Sequence, residues 1–146
     1  VDDSAVELKA TGILTTDPTY RDAHVNVTSV NGILLLSGET PSSEMRDSLL
    51  AKVRDIPSIR RIVNEVRIAP PSTLAQRSRD AWITGQVKSR LIGTRGLHSS
   101  RITVVTEYTS VFLMGLVSQQ ESELATNAAT NVRGIERVVK LFEYVD

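Results

Sequence analysis

The tightest constraint on what this chain can fold into is that it matches itself. Displaced by 77 positions, Asp3 falls on Asp80, Val6 on Ile83, Leu14 on Leu91, Val27 on Val104, Leu36 on Leu113, Gly38 on Gly115 and Glu44 on Glu121. After a slip of one residue the displacement is 76, and Ile56 falls on Val132, Ile59 on Ile135, Arg61 on Arg137, Ile62 on Val138 and Val63 on Val139. The matches stay in order and sit at apolar and turn positions, as two copies of one core would require. The copies meet at Pro70-Pro71-Ser72-Thr73, where two prolines end a strand because neither can donate to a ladder. The expected organisation is a first domain over 1–69, a linker over 70–75 and a second domain over 76–146.

Both halves follow one local pattern. Val6, Ala10 and Leu14, matched by Ile83, Val87 and Leu91, recur every fourth residue and line one face of a helix. Val25 and Val27 then alternate with polar residues, Asn31-Gly32 supplies a tight hairpin turn, and the apolar run Ile33 to Leu36 ends at Gly38. In the second half Ile102, Val104 and Thr106 alternate, and Val111 to Met114 precede Gly115. Thr109 stands where the first half has Gly32, which predicts a different turn, and Ser58 in place of Gly134 predicts a different last corner. Thr40-Pro41 is expected to cap and open the next helix of the first half, and Ser118-Gln119-Gln120-Glu121 is a capping box. Those helices are expected to reach about Asp55 and Val132, with closing strands over 59–68 and 135–145. The fold class is therefore α+β, a tandem α-β-β-α-β repeat in which two helices cover each three-stranded mixed sheet.

Composition removes several functions. With no cysteine among 146 residues there is no disulfide framework, thiolate metal site or catalytic thiol. His24 and His98 each precede a first strand, and His98-Ser99-Ser100 sets hydroxyls beside an imidazole, but adjacent residues cannot by themselves form a base-to-nucleophile pair. No paired-histidine, paired-carboxylate or phosphate-loop signature is present, so no enzyme, metal or cofactor is expected. Asp2, Asp3 and Glu7 fit a helix cap and first turn stabilised by the helix dipole. Gly93-Thr94-Arg95-Gly96 has the outline of a backbone-clamping loop, yet it leads into a strand and no aromatics are interleaved to stack bases, which argues against nucleic acid. The longest apolar run, Ile33 to Leu36, is far too short to cross a bilayer.

A family resemblance rests on Leu34-Leu35-Leu36-Ser37-Gly38 and Val111-Phe112-Leu113-Met114-Gly115. It extends to Ile59-Arg60-Arg61-Ile62-Val63-Asn64 and Gly134-Ile135-Glu136-Arg137-Val138-Val139. In its α-β-β-α-β order this unit resembles the BON domain of bacterial envelope proteins. The stretch from Asp80 to Leu91 strengthens the resemblance, and nearly the whole chain is similar to envelope lipoproteins with two such domains. The resemblance implies a protein of the inner leaflet of the outer membrane, facing the periplasm, that binds anionic phospholipid through its second domain and supports envelope integrity. It also implies a lipid anchor, expected on a cysteine outside these residues.

The chain's neutral total, 17 basic against 17 acidic residues, conceals unlike halves. Residues 1–69 carry eight basic and ten acidic side chains and residues 70–146 nine and seven; the window 77–101 alone holds six basic residues and one acid. Trp82, the only tryptophan, is expected at a helix start on the edge of the apolar face, the setting in which an indole prefers a membrane boundary. The expected lipid-binding residues are Trp82, Ile83, Gln86, Val87, Lys88, Arg90, Ile92, Gly93, Thr94 and Arg95, meeting phosphatidylglycerol-like headgroups. The plainer reading makes Trp82 a plug between the units and the arginines a solvated face. Arg60 and Arg61, expected on the last strand of the first half, are either a charged edge that discourages strand addition or a contact to an outer-membrane assembly or division protein. An adaptor with only incidental lipid contact is the alternative function.

Overall fold

A computed structural model describes residues 2–146. Val1, the first residue of the first expected domain, lies outside the described residues. The chain divides into compact units over 1–72 and 73–146. In the first, helix α1 (Asp3–Thr16) leads through a short 3-10 turn to β1 (His24–Val30), β2 (Ile33–Thr40), α2 (Ser43–Val53) and β3 (Arg61–Ile68). The second repeats the order with α3 (Leu74–Ile92), a 3-10 turn, β4 (Thr103–Glu107), β5 (Ser110–Val117), α4 (Gln119–Thr130) and β6 (Arg137–Tyr144). In each unit the middle strand pairs antiparallel with the strand before it and parallel with the strand after it. The α-β-β-α-β order and the two mixed three-stranded sheets agree with the sequence reading.

The helix stripes and alternate strand residues form each core. Val6, Ala10, Leu34, Leu36, Leu49, Val53 and Val66 pack together in the first unit; Ile83, Val87, Leu91, Val111, Leu113, Ala125, Ala129 and Phe142 do so in the second. Leu49 and Val53 of α2 are replaced by the smaller Ala125 and Ala129 of α4, and Phe142 stands where the first unit has Val66. Volume removed from the helix returns on the strand, the kind of exchange a close-packed core tolerates.

A carboxylate locks each hairpin to its helix. Asp3 accepts bonds from Ser29 Oγ at 2.8 Å, Asn31 N at 2.7 Å and Gly32 N at 3.0 Å. Asp80 does the same at the second turn, accepting from Tyr108 N and Thr109 N, both at 2.8 Å, and from Gln76 Nε2 at 3.0 Å. The turns share one conformation, with φ of 53° and 82° at Asn31 and Gly32 and of 48° and 64° at Tyr108 and Thr109. The different turn expected for the second half is therefore corrected. A β-branched residue enters the left-handed region because two charge-assisted bonds outweigh a local cost of about 1 kcal/mol or more. The last corner is likewise shared, with Ser58 at φ 74° and Gly134 at 92°.

The second helix starts also differ from expectation. Thr40 is the last residue of β2, and the cap of α2 is Ser42, whose hydroxyl accepts from Met45 N at 3.2 Å. Pro41 lies before this cap and has no counterpart, because Ser118 follows directly on Val117. This extra residue is the slip in the repeat. Glu44 consequently matches Gln120, and the full capping box, Ser118 with Glu121, belongs to the second unit alone. The N-terminal acids divide similarly: Asp2 caps α1, Asp3 holds the turn and Glu7 accepts from Ser29 N at 2.8 Å.

Gly38 and Gly115 lie within β2 and β5 instead of closing them. Their φ values are 124° and 148°, and an added Cβ would sit 2.0 Å from the His24 carbonyl oxygen or 2.2 Å from that of Arg101. Backbone occupies that space, of β1 in the first unit and of the 3-10 turn ahead of β4 in the second, so no side-chain rearrangement relieves the clash. Gly115→Ala is expected to lower unfolding free energy by more than about 2 kcal/mol in urea titrations. Gly12→Ala in α1, where the same atom meets nothing within 4 Å, should raise it by up to about 1 kcal/mol.

Removing the second clamp with Asp80→Ala leaves two turn amides without their acceptor and should cost roughly 2 kcal/mol or more in the same titration. Burial raises the Asp3 pKa, but bonds from Gly32, Ser29 and Asn31 outweigh it and hold the carboxyl below its usual range. The Ser118 amide does the same for Glu121, against burial and with help from the Arg101 charge. Both groups stabilise the fold wherever the unfolded carboxyl is ionised, and this is lost as pH falls through the lowered folded values. The urea midpoint should thus be level with respect to these groups above about pH 5 and decline below about pH 4, with Asp3→Asn flattening part of the decline.

Candidate functional site

Helix α3 begins at Thr73, whose hydroxyl accepts from Gln76 N at 3.1 Å, and runs for 19 residues. Asp80, Ile83, Val87 and Leu91 form its buried stripe. At 100° per residue the opposite ridge is Ser78, Trp82, Gly85 and Ser89. Arg79, Gln86 and Arg90 flank it on one side; Arg77, Lys88, Leu74 and Ile92 flank it on the other. Apolar and basic groups thus share one outward surface: Leu74 is 80 % exposed, Ile92 73 % and Trp82 53 %. The only acid of the helix, Asp80, is 5 % exposed and engaged by the hairpin.

The placement corrects three expectations. Trp82 lies in the middle of the helix, because the cap at Thr73 starts α3 earlier than its apolar spacing suggests. Ile83 and Val87 are fully buried in the core and present no exposed surface to a membrane. Arg60 precedes β3, its guanidinium donating to the Asn31 carbonyl at 3.0 Å, while Arg61 is the first residue of that strand. Gln86, Lys88, Arg90, Ile92, Gly93 and Arg95 are exposed and Thr94 is half-buried, its hydroxyl donating to the Arg90 carbonyl at 2.7 Å.

Among the described residues, Arg79, Lys88, Arg90 and Arg95 have no carboxylate partner. The first unit shows what the fold alone requires. At the positions of Arg79, Trp82, Lys88, Arg90 and Arg95 it has Asp2, Ala5, Thr11, Ile13 and Pro18. The cations and the indole are therefore additions to a shared scaffold. Sequence reasoning missed Arg133, which the corner between α4 and β6 brings beside Trp82; a cavity of about 340 Å³ is lined by Arg79, Trp82, Ile83, Arg133 and Gly134.

The loop after α3 passes through Gly96, at φ 86°, into the 3-10 turn and β4. His98 faces Glu121, its Nδ1 3.7 Å from Oε2, and His24 Nδ1 lies 3.1 Å from Glu39 Oε1. Glu39 Oε1 also accepts from Ser72 N at 2.7 Å.

Comparison with known proteins agrees with the duplicated fold. The BON domain model matches residues 2–70 and again 79–146. The chain is 31 % identical over 147 residues to outer membrane lipoprotein DolP of Haemophilus influenzae, covering all of this chain and 76 % of that protein. It is 32 % identical over 146 residues to a 21 kDa hemolysin of Actinobacillus pleuropneumoniae, covering 99 % of this chain and 75 % of the other. Among solved structures it aligns with CdsD, a structural protein of the type III secretion system of Chlamydia trachomatis, at 15 % identity and a TM-score of 0.38, over 99 % of this chain and 64 % of that one. Two matched units in one chain, with similarity to DolP along the full length, place this protein in the BON-domain family as a tandem, DolP-like member.

Proposed function

We propose that this protein is a non-enzymatic anionic-phospholipid-binding protein of the inner leaflet of the bacterial outer membrane, supporting envelope integrity, with α3 and the loop after it as its membrane face. The observation that carries this reading is the contrast between repeats: one fold presents Arg79, Lys88, Arg90 and Arg95, without carboxylate partners among the described residues, with an exposed tryptophan in the second unit, and Asp2 and Ala5 at the positions of Arg79 and Trp82 in the first. The compartment follows the name of the Haemophilus relative, an outer membrane lipoprotein.

The physical sequence has two steps. Arg79, Lys88, Arg90 and Arg95 draw α3 toward a negative surface, each contributing about 1 kcal/mol within a Debye length of roughly 10 Å. Trp82, with Ile92 and Leu74 on the adjoining flank, then transfers apolar surface into the headgroup boundary. No helix among the described residues is long and apolar enough to cross a membrane. Surface contact of this kind is reversible, so stable attachment needs a second signal, such as the acyl chain of a lipoprotein.

Vesicle co-sedimentation tests the reading. Mixed phosphatidylglycerol and phosphatidylcholine vesicles should recruit the protein, phosphatidylcholine alone should not, and salt near 1 M should release it as the Debye length shrinks to about 3 Å. Trp82→Ala should lower the partition coefficient about tenfold, corresponding to roughly 1.5 kcal/mol of lost apolar transfer. Equal recruitment by both vesicle types, together with an unchanged Trp82→Ala variant, would sink the proposal.

A further inference from the structure

The two units differ where the first helix ends beside the second. In the first unit side chains bond across that corner. Asp17, the cap at the end of α1, accepts from Lys52 Nζ of α2. The Lys52 ammonium lies 5.1 Å from the centroid of the Tyr20 ring, and Tyr20 Oη is 2.8 Å from Ser48 Oγ. At the positions of Asp17, Lys52, Tyr20 and Ser48 the second unit has Thr94, Ala128, Leu97 and Leu124, so the ion pair and the hydroxyl bond are both lost. The Thr94 hydroxyl turns back to the Arg90 carbonyl instead. Between the end of α3 and α4 lies a cavity of about 450 Å³, lined by Arg90, Thr94, Leu124, Asn127, Ala128 and Asn131 among others.

The lining contains a cation, two amides, an apolar patch and no acid. The Arg90 guanidinium has no carboxylate partner among the described residues. Asn131 Nδ2 is committed to the Asn127 carbonyl at 2.9 Å, which leaves its Oδ1 as an acceptor, while the Asn127 side chain keeps both a donor and an acceptor. Leu124 and Ala128 supply the apolar surface. The first unit has Ile13, Ala51 and Asp55 where these three polar residues stand, with no cation and no amide. A guanidinium fork binds a carboxylate through two parallel bonds, and a side-chain amide offers the donor and acceptor that a peptide group needs. A free polypeptide end joins a carboxylate, a side chain and a peptide group within one residue, and its capture is a recurring mode of recognition. We infer that the cavity between α3 and α4 receives the C-terminal carboxylate of a peptide whose last side chain is apolar. Its volume is within the usual range of a small-ligand site and limits recognition to the final residues. A phospholipid phosphate would leave the asparagine amides unanswered. The site goes beyond the proposed membrane face, since half of it belongs to α4 and its ligand is a peptide.

Amide resonances of the isotope-labelled full chain report the cavity directly. Titration with N-acetyl-alanyl-leucine at millimolar concentration should move the signals of Arg90, Thr94 and the Asn127 side chain saturably. The same dipeptide with its carboxyl amidated should bind about tenfold more weakly, and Arg90→Gln should lose as much for the free acid. Thr94→Asp combined with Ala128→Lys places the first unit's ion pair across the corner; this double variant should keep its thermal midpoint and lose the dipeptide-induced shifts. Equal binding of the free and amidated dipeptides overturns the inference. So does a folded Thr94→Asp, Ala128→Lys variant that binds like wild type, or a titration without any saturable shift. Full displacement of the dipeptide by dihexanoyl phosphatidylglycerol, kept below its micelle concentration, would give the cavity to lipid and overturn the inference as well.

Discussion

The bond between a helix carboxylate and a hairpin turn is the contact on which the rest of each unit depends. Asp3 and Asp80 reach from the first helix to consecutive backbone amides of the turn, at 2.7–3.0 Å. The same turn is held from its other side, where Arg60 N donates to the Gly32 carbonyl at 2.8 Å and Glu136 N to that of Thr109 at 2.9 Å. First helix, hairpin and final strand are thus fixed at one point. With the turn placed, the register of the middle strand follows, because a slip of one residue would exchange the core-facing set Leu34 and Leu36, or Val111 and Leu113, for the residues of the other face.

That arrangement explains how the helix can carry so exposed a surface. Asp80, Ile83, Val87 and Leu91 secure α3 through one stripe, and Thr84 Oγ1 adds a bond to Thr106 Oγ1 at 2.7 Å. The ridge opposite that stripe, with Trp82, Gly85 and Ser89, is exposed. A helix whose only acid is committed to a turn presents Arg79, Lys88 and Arg90 with no carboxylate partner among the described residues, even though the whole chain is electrically neutral.

The repeat, the element order and the core stripes were legible in sequence because each depends on apolar periodicity, which survives when individual residues change. At Thr109 local preference favours glycine, while the conformation is held from another element by Asp80; Ser58 takes the conformation of Gly134 with no structural cause. Pro41 misled in another way: it resembles a first-turn proline, but as an extra residue ahead of Ser42 it moved the apparent match of Glu44 by one place. Ile83 and Val87 belonged to the core stripe and could not also face a membrane. Arg133 was invisible as a neighbour of Trp82 because only the packing of α4 beside α3 brings them to one cavity.

Duplication also separates what the fold needs from what one copy does with it. Positions shared between units, such as Asp3 with Asp80 and Gly38 with Gly115, have a structural cause in both: a clamped turn and a backbone approach that excludes a Cβ. Positions that differ divide: some follow local structure, as Asp2 caps α1 and Ala125 and Ala129 adjust the core, and others, such as Trp82, have no structural cause. Replacing Asp2 and Ala5 by Arg79 and Trp82 changes neither the core nor the turn, yet it reverses charge and adds a large apolar group on an exposed face. If exposed residues of α3 served only solubility, Asp2 and Ala5 would do as well as their counterparts, and a half-exposed indole would be a poor choice beside them. The asymmetry therefore leaves scaffold duties to both copies and sets the exposed indole and its neighbouring cations on the second.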